Sequence, residues 1–324
     1  MTVPFYRPPK ILAIEELLPD WAAVYDSGML SNGNNCRELE EEIKLIHKCD
    51  HVITCSSATS GLWILLKVLK TKSILMPSFT WKSVGSVTEQ YHRVFMDIDR
   101  ETWLPNPFQS PKNHSFPDTV LLQHTFGSIM KPSLKVKEKI VYDAAYSLGL
   151  EFPVNDGAVI SLSPTKTVTG CEGGLILLND DKIACEIEKL RDSCARLSEL
   201  NAVVALHYLE KLNEILARKK QIFEYYRQKL PWQYQKILVD TTYGYYGMLL
   251  ELSNERFRDT PGSPVFSINN VECRVRYEPL QKGCINTDYV AGHLVCLPCY
   301  HDVNEKDVVE RLLSTDLHHV GEPE

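Results

Sequence analysis

The chain has 324 residues, 44% hydrophobic and 24% charged, enough for a sizeable core and two lobes rather than many domains. Its formal net charge of −7 leaves no dominant basic face, which argues against a nucleic acid or an anionic membrane as partner. No apolar run approaches the roughly 20 residues of a membrane span, and the opening "MTVPFYRPPK" lacks the basic-then-apolar order of a signal peptide, so a cytoplasmic protein is expected.

In chain order, residues 36–48, "CRELEEEIKLIHK", place apolar side chains at helical period with charges between them. "HVITC" (51–55) reads as a short strand, followed by "SSATSG" and a buried helix in "LWILLKVLK". Further strands are predicted at 73–77, 92–99, 119–127, 140–145, 158–163 and 173–180. Such alternation implies an α/β fold with a mostly parallel central sheet covered by helices on both faces. From Ser198 to Leu230 apolar residues recur as one long helical segment that Pro231 ends. Residues 231–324 read as a smaller C-terminal α/β lobe, with strand-like runs "GMLLELS", "VECRVRYE" and "HLVCLP" and a closing helix "EKDVVERLL". "RDTPGSP" (258–264) is the candidate exposed loop, and the polar tail "HHVGEP" is expected to fray.

In an open parallel sheet, ligands gather at the carboxyl ends of the strands. After the first strand, "SSATSG" offers a helix N-terminus suited to a phosphate, or an ordinary cap built on Ser56 or Ser57. After the second comes Trp81, a flat ring for stacking or for core packing. Asp143 ends the fifth strand, where a buried acid needs a cation or hydrogen bonds; capping the next turn is the simpler account. After the sixth come Ser161, Ser163 and then Lys166, one lysine set among prolines, threonines and small residues. Phosphate cradle, flat aromatic, buried acid and lysine at one sheet edge are the groups that pyridoxal phosphate requires. Its aldehyde forms a Schiff base with a lysine, and a carboxylate keeps its ring nitrogen protonated. No metal site is expected.

These segments resemble, in order over most of the chain, the DegT-type nucleotide-sugar aminotransferases, pyridoxal-phosphate enzymes of fold type I. The matching pieces include "VPFYRPP", "SGMLSNGNNCRELEEEI", "CSSATSGLW", "MPSFTW", "VFMDIDRETW", "HTFG", "YDAAYSLG", "SLSPTKTVTGCEGG" and "VCLPCYHDVNEKDVVERL". The resemblance implies that Lys166 carries the cofactor and shuttles protons, and that Asp143 partners the pyridinium nitrogen. It implies phosphate binding by Ala58, Thr59, Ser60 and Ser161, and ring stacking by Trp81. It also implies a large cofactor-binding domain at 1–212, a small domain at 213–324 that begins in the long helix, and a homodimer with sites at the interface. The reaction it implies moves an amino group from L-glutamate to a nucleotide-linked keto-deoxysugar, with the 4-keto type slightly favoured. A pyridoxamine-phosphate-dependent sugar dehydratase is the neighbouring reading, which Lys166 opposes; a trimmed non-catalytic homologue is the other.

Two departures stand out. The family usually has glutamine or histidine against the cofactor's ring oxygen, and here that position is Tyr146. The loop normally found between "KLRDSC" and "RLSEL" is missing, which puts Cys194 near the asparagine that reaches the partner's phosphate. The stretch before "TVLLQ" and the final lobe are shortened as well. Of the remaining signals, "CLPC" (296–299) lacks a second pair and reads as packing, and the ten cysteines as reduced thiols. Cys171 reads as a small buried residue. His124 is either structural or catalytic, and Glu172 either faces the substrate or closes a turn.

Overall fold

The computed structural model describes residues 1–7, 11–107, 117–130, 137–258 and 263–315. The stretch before "TVLLQ", the tail and the centre of "RDTPGSP" lie outside the described residues.

Alternating side chains build the central sheet. Along β4 (Thr119–Gln123), β5 (Lys139–Asp143), β6 (Gly157–Ser161) and β7 (Gly174–Leu178), successive residues enter two different cores. Leu122, Tyr142, Ile160 and Leu175 face one; Leu121, Val141, Val159 and Ile176 face the other. A strand apolar on both sides must be covered on both faces, and helices cover it. With β1 (His51–Cys55), β2 (Ser73–Pro77) and β3 (His92–Met96), the strands form one seven-stranded sheet in the order β1-β7-β6-β5-β4-β2-β3. Among them β7 alone runs antiparallel to its neighbours. The carboxyl ends of the other strands therefore share an edge with the amino end of β7. The α/β class and the mostly parallel sheet are as the sequence predicts.

Helix α2 (Asn34–His47) packs on β1, and α3 (Ala58–Val68) on β6 and β7. Helix α1 (Ile14–Ser27), not anticipated from the sequence, lies against α6 (Glu199–Glu210) and stops at Gly28, whose φ of 69° is the left-handed cap that glycine adopts without strain. The predicted strand 119–127 ends earlier, because residues Thr125–Gly127 form a 3-10 turn. The predicted segment 198–230 is two helices, α6 and α7 (Leu212–Lys229), separated at Lys211 (φ −93°, ψ 3°). No proline or glycine marks that break. Helix α6 is drawn onto α1 and α2, whereas Ile222, Phe223 and Tyr226 of α7 enter the core of the C-terminal lobe. Before Pro231 the chain is extended at Leu230, as the proline ring demands.

The C-terminal lobe is a five-stranded antiparallel sheet in the order β10-β11-β12-β9-β8. Its strands are β8 (Gln233–Tyr234), β9 (Tyr246–Leu249), β10 (Val265–Ile268), β11 (Val271–Arg274) and β12 (Leu294–Leu297). Helix α9 (Glu305–Leu313) packs on β11 and α7. A cluster of aromatics joins the two lobes: Phe5, Phe79, Trp103, Phe126, Tyr146, Tyr245 and Tyr277. It lies beside the sheet edge where the strands end.

Candidate active site

The loop after β1 turns straight into α3. Ser57 caps this helix, accepting the Ser60 N–H at 3.0 Å, while Ser60 Oγ accepts the Ser57 N–H at 3.1 Å. This reciprocal box satisfies one of the helix's orphan donors. Among the described residues, the N–H groups of Ala58 and Thr59 have no acceptor within the protein. They remain available at the positive end of the helix. Gly174 makes the close approach of β7 possible, since a Cβ there would collide with Ala58 N and Ser57. Behind the loop, Ser56 N–H donates to Ala195 O at 2.8 Å. Arg191 Nη1 donates to Thr54 O at 2.6 Å. The last turn of α5 (Asp181–Cys194) and the residue that follows it thus prop the loop directly.

Asp143 sits at the end of β5, 8% exposed, with Oδ1 accepting the Ala145 N–H at 3.1 Å. Burial raises its carboxyl above the usual range, and the Ala145 hydrogen bond and the nearby Lys166 pull the other way. Lys166 Nζ lies 3.1 Å from the centroid of the Tyr146 ring. Burial holds this amine well below an ordinary lysine; Asp143 counteracts that, while the positive charges of Arg276 and Lys219 reinforce it. A lysine depressed in this way is a nucleophile and a base at moderate pH. Tyr146 donates its hydroxyl to Tyr245 Oη at 2.8 Å, and Tyr245 donates to Thr165 Oγ1 at 3.4 Å.

Around these groups runs a cavity of about 480 Å³. Of the residues expected from the sequence, Ala58, Thr59, Trp81, Asp143, Tyr146, Ser161 and Lys166 all line it. Ser60 is not among its lining residues; its N–H and hydroxyl are spent on the cap, and Ser57 lines the cavity in its place. Glu172 also reaches the cavity. His124 does not: it is 1% exposed, hydrogen-bonded through Nδ1 to Ser147 at 2.8 Å, and packed on Tyr142 and Phe152. Cys171 is exposed rather than buried, on a backbone with φ of 63°. Cys194 is exposed at the end of α5, with its thiol turned back to Leu190 O. Cys296 and Cys299 are free buried thiols.

Sequence reasoning missed four contributors from the C-terminal lobe: Tyr245, Arg274, Arg276 and Tyr277. Arg276 lies 4.7 Å over the Trp81 ring. The tripeptide "RVR" in a strand-like run was the available signal, since charged side chains alternating toward one face must meet water, an acid or a ligand. Ser83 was missed as well; it accepts from Thr59 Oγ1 at 2.9 Å.

The donor set fits pyridoxal phosphate. Free N–H groups at the start of α3 and the hydroxyl of Ser161 suit its phosphate, Asp143 suits its ring nitrogen, and Lys166 suits its aldehyde. A family profile described as the DegT/DnrJ/EryC1/StrS aminotransferase family matches residues 13–244. Among solved structures, DesI, determined in the presence of its TDP-sugar product, is 20% identical with a TM-score of 0.83, over 97% of this chain and 93% of that one. PseC of Helicobacter pylori, an aminotransferase involved in the biosynthesis of pseudoaminic acid, is 16% identical with a TM-score of 0.80, covering 96% of this chain and 98% of its own. NtdA from Bacillus subtilis, with the cofactor PMP bound, is 17% identical with a TM-score of 0.76, over 93% and 81%. At these identities the structures establish the fold, and the family match covers well over half of the chain. The chain belongs to the DegT/DnrJ/EryC1/StrS aminotransferase family, and it is an aminotransferase whose cofactor is pyridoxal phosphate.

Proposed function

We propose that this aminotransferase moves an amino group from L-glutamate to a nucleotide-linked keto-deoxysugar, with 4-keto substrates favoured, as a cytoplasmic homodimer. The observation that carries the reading is the convergence of Lys166, Asp143 and the open N–H groups of Ala58 and Thr59 on one cavity. Similarity to DesI, solved with a TDP-sugar product, supports the substrate class. Among the described residues no helix is long and apolar enough to cross a membrane.

When bound, the cofactor supplies an aldehyde for the incoming amine and a ring that draws electrons from the neighbouring carbon. Lys166 Nζ is the group that would hold that aldehyde and, once free of it, would serve as the base that moves the donor's α-proton. Its depressed basicity keeps part of the population neutral, as a base must be. Asp143 would hold a proton on the ring nitrogen and so support that electron withdrawal. The donor's keto acid leaves before the sugar enters, which predicts ping-pong kinetics.

The test is a panel of nucleotide-linked keto-sugars added with glutamate to cofactor-loaded protein. An aminated sugar in the mass spectrum supports the reading; no product across 3-keto and 4-keto members overturns the substrate assignment. Light scattering of the purified protein checks the dimer.

A further inference from the structure

A second cavity, of about 30 Å³, adjoins the first, and Thr165, Lys166 and Tyr245 line both. Its far wall comes from α7 and the segment after β12, through Lys219, Cys299, Tyr300 and His301. Lys219 is 5% exposed. Among the described residues its ammonium makes a single hydrogen bond, a long one to Thr167 Oγ1 at 3.4 Å, and has no carboxylate within ion-pair distance. The acids nearest this wall are engaged elsewhere: Glu305 holds Arg218 at 2.7 Å, and Asp302 holds His301 Nδ1 at 2.8 Å. Burial pushes the Cys299 thiol up against the pull of Lys219 and Arg218, so it stays neutral and supplies no thiolate. The hydroxyls on the cavity are in surplus as donors too. Thr165 Oγ1 accepts from Tyr245 at 3.4 Å and Thr167 Oγ1 accepts from Lys219, and neither hydroxyl proton has an acceptor among the described residues. A buried ammonium with unused N–H groups and two such hydroxyls beside it lacks an acceptor, and a negative one serves best.

We propose that this small cavity binds one monovalent inorganic anion of halide size, with Lys219 as its charged ligand and Thr165 and Thr167 as hydroxyl donors. The volume admits a particle about the size of a water molecule and is too small for a phosphate ester or an amino acid. A water there would satisfy the hydrogen bonds but leave the charge unbalanced, whereas a halide does both. The cofactor phosphate has its own N–H donors at Ala58 and Thr59, which do not line this cavity. Loss of the Lys219 proton is the competing relief. Burial pulls its basicity down and favours that loss, while Cys299 pulls the other way. The two accounts differ in what they predict: a neutral amine makes the protein indifferent to the anion. The site goes beyond the transaminase reading and stands whichever sugar is the substrate.

The test uses the full chain without added cofactor, so that its outcome is independent of turnover. Urea midpoints are measured at neutral pH in potassium chloride and in potassium gluconate, an anion too large for the cavity, at equal ionic strength. An anion that binds the folded chain raises the midpoint saturably, so wild type is expected to gain stability in chloride over gluconate. Lys219→Met removes the charge at nearly constant volume, and trading an unpaired buried charge for an apolar group leaves the chain able to fold. In that variant the apparent chloride affinity falls at least about 10-fold, while Lys166→Met keeps it. Crystals soaked in bromide are expected to show an anomalous peak within hydrogen-bond reach of Lys219 Nζ. Equal wild-type midpoints in chloride and gluconate overturn the proposal in favour of a neutral Lys219. So does a chloride dependence that persists in Lys219→Met, which places the anion elsewhere, or one that vanishes in Lys166→Met alone, which assigns it to the cofactor's lysine. A bromide peak only at other positions overturns it as well.

Discussion

The side-chain nitrogen of Lys166 rests over the face of Tyr146, 3.1 Å from the ring centroid. The aromatic face shields the amine from water. The groups acting on Lys166 are Asp143 on β5, Arg276 beyond β11, Lys219 on α7 and Glu172 before β7. Burial outweighs all of them. Removing the ring opens the amine to solvent and raises its basicity. Tyr146→Gln therefore moves the pH profile of cofactor capture to higher pH, whereas Tyr146→Phe, which keeps the face and loses only the hydroxyl bond to Tyr245, leaves it in place. Capture rates measured between neutral and alkaline pH check this.

Among the described residues Asp143 is the acid buried at the sheet edge beside Lys166; burial disfavours its charge, while the Ala145 hydrogen bond and a nearby cation favour it. Asp143→Asn keeps shape and the Ala145 hydrogen bond but cannot hold a proton on the ring nitrogen. Turnover is expected to fall on the order of 10²-fold or more. Cofactor capture by Lys166 should survive. Steady-state kinetics beside a cofactor titration separate the two; parallel loss of both would assign Asp143 a merely structural role.

Much of this was legible before the structure. Every strand of the central sheet announced itself, the inner ones because strands buried on both faces are continuous apolar runs and the edge strand β3 through the apolar end of its run. Lys166, Asp143 and Trp81 were legible because they follow such strands, and strand ends are where the fold exposes chemistry. Arg276 was not. It lies 110 positions from Lys166 in the sequence, and only the packing of Tyr245 and Tyr277 against Phe126 brings it to the cavity. Ser57 and Ser60 were legible as a pair but not in their roles, since either could cap or bind. The break at Lys211 was hidden because helical periodicity continues through it, and what bends the chain is the pull of two separate cores.

His47 packs its ring on Phe152, 2% exposed, and burial pushes its pKa down to about 4. A base whose folded pKa lies below its unfolded value of 6.5 binds more protons when unfolded, so stability falls as pH drops through that window. Between pH 7.5 and 5 this residue accounts for about 2 kcal/mol of lost stability. His47→Phe should flatten the acid side of the stability curve by that amount, read from urea midpoints. The buried His124, with its pKa lowered to about 3, contributes in the same direction and keeps the remaining slope.

Glu199, at the start of α6, ties that helix to α2. Its carboxylate accepts the N–H groups of Gly33 at 2.7 Å, Asn35 at 2.8 Å and Cys36 at 3.0 Å. Burial alone would raise its carboxyl, but the hydrogen bonds from Cys36 and Asn35 win and hold it below the usual carboxylate range. Glu199→Gln turns an amide N–H toward those donors and costs about 1–3 kcal/mol. Chemical denaturation measures the loss, and an unchanged midpoint would remove Glu199 from the account.

The most direct test of the central claim is to load the protein with pyridoxal phosphate, reduce it with borohydride and map the peptides by mass spectrometry. The account predicts one pyridoxyl group, on the nitrogen of Lys166, and none in Lys166→Arg. A label on another lysine, or no covalent label at saturating cofactor, would contradict it.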